Sequence, residues 1–338
     1  MELAFLNDAW LSEESHVLLN PRMPEEERRR LESLVVDLPS HVWLATSGTT
    51  GALKLTALSK RALLASAAAV NRHLSSDASD VWLRVLPTFH VGGLGIHARA
   101  FLSGARVVTE WSEDVTLASF VPAQVSDVVR DRRVAPRSLR AVVVGGGALS
   151  EELYRDARGL GWPLLPSYGM TECCSQVATA TAASPELVLL EHVEARIEED
   201  GRLAIQSEAL LTGYATEDGF VDPKIDGWFV TEDVASLDGR TLRVEGRRGD
   251  FVKIGGESVD LSRLDRILAA IGADAAAVAI PDERLGHVIA LAVASGDPDA
   301  IANAFNARVF PFERARSIVH VREIPRTPLG KIVRSRLP

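Results

Sequence analysis

Apolar runs of strand length alternate with helix-compatible stretches through the first half of the chain, and the pattern then changes twice. Val42–Leu44 lead into a segment of small polar residues, and the alanine-rich stretch 59–73 predicts a helix. An earlier helix is predicted over 24–36. Strands are predicted at 81–87 (VWLRVLP), 105–110 (ARVVTE), 140–146 (RAVVVGG) and 163–169 (PLLPSYG), separated by helical segments near 95–102, 115–131 and 150–159. Such alternation predicts an α/β architecture with largely parallel strands. From about 188 to 245 shorter strands follow one another with Gly and Asp turns, as in EEDGRLAIQS and LDGRTLRVEG, which predicts a β-rich subdomain. Past Gly246 come apolar FVKI, helix LSRLDRILAAI, strands AAAVAI and HVIALAVAS, helix DAIANAFNARV and strand SIVHV. The expected fold is therefore a large N-terminal α/β domain, 1–246, with a β-rich subdomain, and a small mixed α/β C-terminal domain, 247–338, the boundary falling at 246–249. The terminal PRTPLGKIVRSRLP is expected to be a loop.

Composition narrows the function classes. With 338 residues, 46% of them hydrophobic, the chain has material for two folded units. A net charge of −9, from 37 basic and 46 acidic residues, argues against a nucleic-acid or anionic-membrane partner. No apolar run reaches bilayer length, and Glu2 and Asp8 stand where a signal peptide carries positive charge, so a cytoplasmic protein is expected. The adjacent Cys173 and Cys174 offer neither a disulfide framework nor a metal spacing and are read as packing residues. The EEERRR run is read as a solvated helix face with opposite charges as neighbours.

Three segments carry chemistry. In Ala45–Lys54, the run Thr46, Ser47, Gly48, Thr49, Thr50, Gly51 followed by Lys54 suits phosphate: glycines admit backbone N–H groups close to an anion, and hydroxyls and an ammonium add donors. A plain surface turn is the alternative for this segment taken alone. The second pairs VVVGGG, with Gly146 and Gly147, with SYGMTE, where Ser167, Tyr168, Gly169, Met170, Thr171 and Glu172 bring an aromatic face, a hydroxyl and a carboxylate together near a strand end. In the third, Asp233 supplies an acceptor for ribose hydroxyls and Arg247 a fixed charge. Lys-Ser/Thr does not follow Gly51, so the P-loop NTPase pattern fails.

These residues resemble the adenylate-forming superfamily of acyl-CoA synthetases, luciferases and nonribosomal adenylation domains. TSGTTGALK at 46–54 resembles its phosphate loop, LPTFHVGG at 86–93 its aromatic/His channel motif and SYGMTE at 167–172 its adenine and Mg²⁺ motif. GWFVTED at 227–233 is similar to its ribose motif, GRRGDFVKIGGE at 246–257 to its interdomain hinge and PRTPLGK at 325–331 to its catalytic-lysine loop. The resemblance implies ATP and CoA as co-substrates, Mg²⁺ on Glu172, catalytic roles for Lys331, Thr171 and Glu172, and a mobile C-terminal domain pivoting near Gly249. It also implies a substrate and CoA channel involving His90, Gly93, Arg99, Ser167 and Gly256. A homo-oligomer is compatible with this reading.

Stretches such as FHVGGLGIHARAFLSGARVV, VPAQ at 121–124 and YGMTECCSQV are similar to the o-succinylbenzoate-CoA ligases of menaquinone biosynthesis. The implied reaction is adenylation of that carboxylate and its transfer to CoA, with AMP and pyrophosphate released. Another short aryl- or acyl-CoA ligase and a catalytically impaired adenylate-binding protein share the same motifs. Arg99 is a candidate for a second substrate carboxylate, with a surface salt bridge as the alternative. Leu53 stands where the family usually has Pro, Gly249 where it often has Asp, and only residues 1–45 precede the phosphate loop, so a shortened first domain is expected.

Overall fold

The computed structural model describes residues 7–47, 53–147, 149–247, 251–325 and 332–337. They fall into two compact units, the larger formed by residues up to Thr46 and from Leu53 to Arg247, the smaller by Ser47 and the residues from Phe251 onward.

Two sheets organise the larger unit. Among the described residues, the larger sheet has eleven strands in the order Glu194–Ile197, Arg202–Gln206, Phe229–Asp238, Thr241–Arg247, Leu187–Leu189, Ser175–Thr179, Leu164–Met170, Ala141–Val144, Leu117–Phe120, Val81–Leu83, Arg106–Val108. From Leu164–Met170 to Arg106–Val108 neighbouring strands are parallel, and the helices Val91–Ser103, Pro122–Arg130 and Glu151–Gly159 make the crossovers that parallel pairing requires. The other strands pair antiparallel, which is the β-rich part. A second sheet runs His16–Leu18, His41–Ser47, Leu53–Ser59, Gly213–Thr216, Gly219–Val221.

Helix Lys60–Leu74 starts where Ser59 accepts the Ala62 N–H at 3.1 Å and ends at Ser75 in the left-handed region, φ 50°. Its Leu63, Ala67, Val70 and Leu74 recur at three and four residues and are all buried. The charged helix Glu25–Ser33 carries its expected surface pairs, Arg29 with Glu25 at 3.1 Å and Arg30 with Glu27 at 2.7 Å. Cys173 and Cys174 are buried thiols, and burial first of all pushes both well above the ordinary range.

Three sequence expectations need correction. The segment 115–131 is a strand, Leu117–Phe120, followed by a helix, Pro122–Arg130. All four strand residues are buried, so no alternation marked them. A strand, Leu53–Ser59, precedes the alanine-rich helix and was hidden by its neighbour. The strand expected over 81–87 stops at Leu83.

In the smaller unit, strands Phe251–Ile254 and Glu257–Asp260 pair through Gly255 and Gly256, whose φ values of 58° and 95° are the two positive angles a type I′ turn needs. Helices Leu261–Ala270 and Pro298–Asn306 bury Leu264, Leu268 and Phe305 against a three-stranded sheet, Ala275–Asp282, Gly286–Val293, Ala315–His320. No helix among the described residues is long and apolar enough to cross a membrane.

Candidate active site

Strand pairing builds the site in the larger unit. Tyr214 lies directly opposite Thr56 in the antiparallel pair Gly213–Thr216/Leu53–Ser59. Lys54 stands two residues before Thr56, on the same face and diagonal to Tyr214, within reach of a long side chain. The Lys54 ammonium sits 3.1 Å from the centroid of the Tyr214 ring. The phenol of Tyr214 donates to Glu172 Oε1 at 2.9 Å, while the backbone N–H of Leu211 donates to the Glu172 carbonyl at 2.8 Å. Thr46 and Thr56 join hydroxyls at 2.9 Å on the neighbouring strand. The side chain of Ser47, together with Gly48, Thr49, Thr50 and Gly51, lies outside the described residues.

The second cluster forms where the parallel strands meet the antiparallel ones. Tyr168 donates its hydroxyl to Asp233 Oδ2 at 2.6 Å, and the Asp233 N–H donates to Thr231 Oγ1 at 3.1 Å. Burial, then the Asp233 charge, pushes the Tyr168 phenol well above its ordinary range, so the proton stays on the ring oxygen. Asp233 stands directly across the strand pair from Arg247, whose side chain lies outside the described residues. Gly169 is there because of space: a Cβ would lie 1.8 Å from the Ser175 carbonyl oxygen. Met170 packs against the main core, and Thr171 and Glu172 open the short turn Thr171–Cys173. Cys174 and Ser175, which follow, both take positive φ, 52° and 118°, a strained conformation held by the surrounding sheet. Ser167 donates its hydroxyl to the Val144 carbonyl at 3.0 Å, beside Gly145; Gly146 follows with φ 78°, then Gly147 near Pro122.

A third group surrounds Arg99. This side chain is 2% exposed, which excludes the surface salt bridge offered by the sequence. Its guanidinium donates to Ser175 Oγ at 3.2 Å and to Ser119 Oγ at 3.5 Å, faces the Trp82 ring at 5.4 Å, and leaves Nε without a partner. Burial pulls it down to about 10, so at neutral pH it is a buried cation, met among the described residues by hydroxyls and a ring. Gly95 lies against it, a Cβ there coming within 3.2 Å of Nη2. His90 is the N-cap residue of the same helix, its ring 4.6 Å from that of Phe89, and a Cβ on Gly93 would strike the Pro87 carbonyl at 2.2 Å. His97, half-buried and near Arg84, is held down to about 4, by burial first and the Arg84 charge second.

Gly256 belongs to the hairpin turn of the smaller unit, and Gly249 and Lys331 lie outside the described residues. Tyr214, Thr56, Thr231, Ser119 and Ser175 were missed by the sequence. Only the alternation of GYAT, which puts Tyr214 and Thr216 on one face, pointed to any of them. Among the described residues no three His, Cys, Asp or Glu side chains gather as a metal site. Mg²⁺ that accompanies a nucleotide needs only one or two carboxylates beside phosphate and water oxygens, so Glu172 fits it.

Fold and site together define an α/β nucleotide-binding enzyme with its polar groups gathered at strand ends. Residues 41–214 match the AMP-binding enzyme family, and the chain belongs to that family. It is 28% identical to a 2-succinylbenzoate–CoA ligase of Staphylococcus epidermidis, the match covering 86% of this chain and 68% of the relative. A Bacillus cereus protein of the same name is also 28% identical, over 93% of this chain and 73% of the relative. Among solved structures, an o-succinylbenzoate CoA synthetase (MenE) double mutant from Bacillus subtilis superposes with a TM-score of 0.79 at 24% identity, covering 88% of this chain and 68% of that one. The amide bond synthetase McbA from Marinactinospora thermotolerans reaches 0.75 at 23% identity, with the same coverages, a likeness of fold alone.

Proposed function

We propose that the chain is an ATP-dependent carboxylate–CoA ligase whose substrate is o-succinylbenzoate, acting in menaquinone biosynthesis. One observation carries the reading: a lysine and a carboxylate from distant segments, Lys54 and Glu172, meet on one tyrosine beside Thr46, at the mouth of a phosphate-loop sequence. A cation for phosphate and an anion for its metal are what an adenylating site requires side by side.

A carboxylate is a poor acyl donor because its oxide leaves badly. Joining it to AMP supplies a better leaving group, which a thiol then displaces. The first step brings two anions together at the α-phosphate. Lys54 and Lys331 would donate to the phosphates, and Mg²⁺ held by Glu172 would offset their charge. Tyr168 and Asp233 would hold adenine and ribose, with Arg247 beside Asp233 and Thr171 donating to the phosphate. His90, Gly93, Ser167 and Gly256 would border the acyl and CoA channel. The smaller unit would move about Gly249 between the half-reactions.

The names of the curated relatives and the buried Arg99 support the choice of substrate. A second substrate carboxylate would give that guanidinium the anion its hydroxyl partners do not. ATP–pyrophosphate exchange over a panel of carboxylates, followed by mass detection of the CoA thioester, tests the reading. Exchange and thioester formation with o-succinylbenzoate are expected, and exchange with none of the panel would overturn it.

A further inference from the structure

We infer that Tyr214 is a positioning residue of the nucleotide site, holding the phosphate-binding Lys54 on its ring face and Glu172 at its hydroxyl. The inference rests on the adenylating reading above and adds a residue to it. The ring face is the negative end of its quadrupole and attracts the ammonium, 3.1 Å away, while the phenol proton meets the carboxylate at 2.9 Å. One rigid side chain thus orients two opposite charges by two different interactions, at two different atoms.

Tyr214 is itself held on both sides. It faces Thr56 in register, and Thr56 is joined to Thr46 at 2.9 Å. Three residues earlier, Leu211 is bonded through its backbone to Glu172 at 2.8 Å. The close approach of Gly213 to the Phe220 ring, where a Cβ would come within 2.6 Å, fixes the strand that carries the tyrosine. An ammonium has three donors and the ring face takes one direction, so Lys54 can donate to a phosphate without leaving the ring. Glu172 likewise has lone pairs left for a cation while it accepts from the phenol. Tyr214 therefore reduces the freedom both charges lose when nucleotide and metal arrive.

The two interactions separate by mutation. Tyr214→Phe keeps the ring and removes the hydroxyl; Tyr214→Leu removes both. Calorimetric titration with α,β-methylene-ATP, at a series of Mg²⁺ concentrations, reads binding without turnover. For Tyr214→Phe, affinity without Mg²⁺ is expected to stay within about twofold of the unmutated protein, while the Mg²⁺ concentration for half-maximal enhancement rises roughly tenfold, the reach of a hydrogen bond to a charged group. For Tyr214→Leu, affinity without Mg²⁺ is also expected to fall, by roughly 3- to 30-fold. A purely structural role would lower the thermal midpoint of both variants and leave the Mg²⁺ dependence of Tyr214→Phe where it was. An unshifted Mg²⁺ dependence in Tyr214→Phe, which keeps the packing, overturns the inference and spares the adenylating reading. Failure of the unmutated protein to bind the analogue at any Mg²⁺ concentration overturns both.

Discussion

The phenol of Tyr168 donates to the Asp233 carboxylate at 2.6 Å, joining residues 65 positions apart across the junction of parallel and antiparallel strands. An aromatic face and an acceptor for vicinal hydroxyls are thereby fixed to each other before any ligand arrives.

Asp233→Ala is expected to raise the KM for ATP by roughly tenfold or more, since it removes the acceptor for the ribose hydroxyls and the partner that holds the Tyr168 phenol at 2.6 Å. The KM for the carboxylate should stay within about twofold. Steady-state kinetics with each substrate varied decide the point, and equal rises in both constants would remove Asp233 from the nucleotide site.

Lys331→Ala is expected to abolish adenylation and leave thioester formation from supplied acyl-adenylate largely intact. A terminal lysine that neutralises charge at the α-phosphate has no part in the attack of the thiol on a preformed adenylate. The two half-reactions, assayed separately, check this; equal loss in both would assign Lys331 elsewhere.

Arg99→Ala is expected to lower the preference for o-succinylbenzoate over its monocarboxylate analogue by about 1–3 kcal/mol in kcat/KM. Among the described residues the buried guanidinium is bonded to Ser119 and Ser175 and faces Trp82, and its Nε–H has no partner there, which suits a second carboxylate. Preference unchanged in the variant would move that carboxylate to another residue.

Stability is expected to fall as the pH drops from about 6.5 toward 4. His97 and His192 are both held down to about 4, burial being the larger cause in each. Between the two values the unfolded chain binds protons that the folded chain refuses, so each histidine adds a slope of up to about 1.4 kcal/mol per pH unit, stability rising with pH. Urea midpoints at pH 7 and 5 measure it. His97→Gln should flatten the dependence, and an identical slope in that variant would show that His97 does not contribute.

The sequence by itself determined the local elements and the inventory of chemistry. The alanine-rich stretch Lys60–Leu74 was legible because its signals lie within a few residues of one another, whereas Gly255 and Gly256, read only as part of a hinge motif, proved to be a hairpin turn. Tyr168, Glu172 and Asp233 stood out as types suited to a nucleotide. Strand Leu117–Phe120 was not legible, because four consecutive buried residues have no period to read. What only the tertiary structure decided was partnership. Glu172 meets Tyr214 across 42 positions, and Lys54 meets the same ring because Leu53–Ser59 pairs with a strand that begins at Gly213. Arg99 carries no local mark of burial, yet the sheet beneath it and the helix that holds it remove it from water. Periodicity reports which face of an element is apolar, and a partner is set by sheet order, which no short window of residues contains.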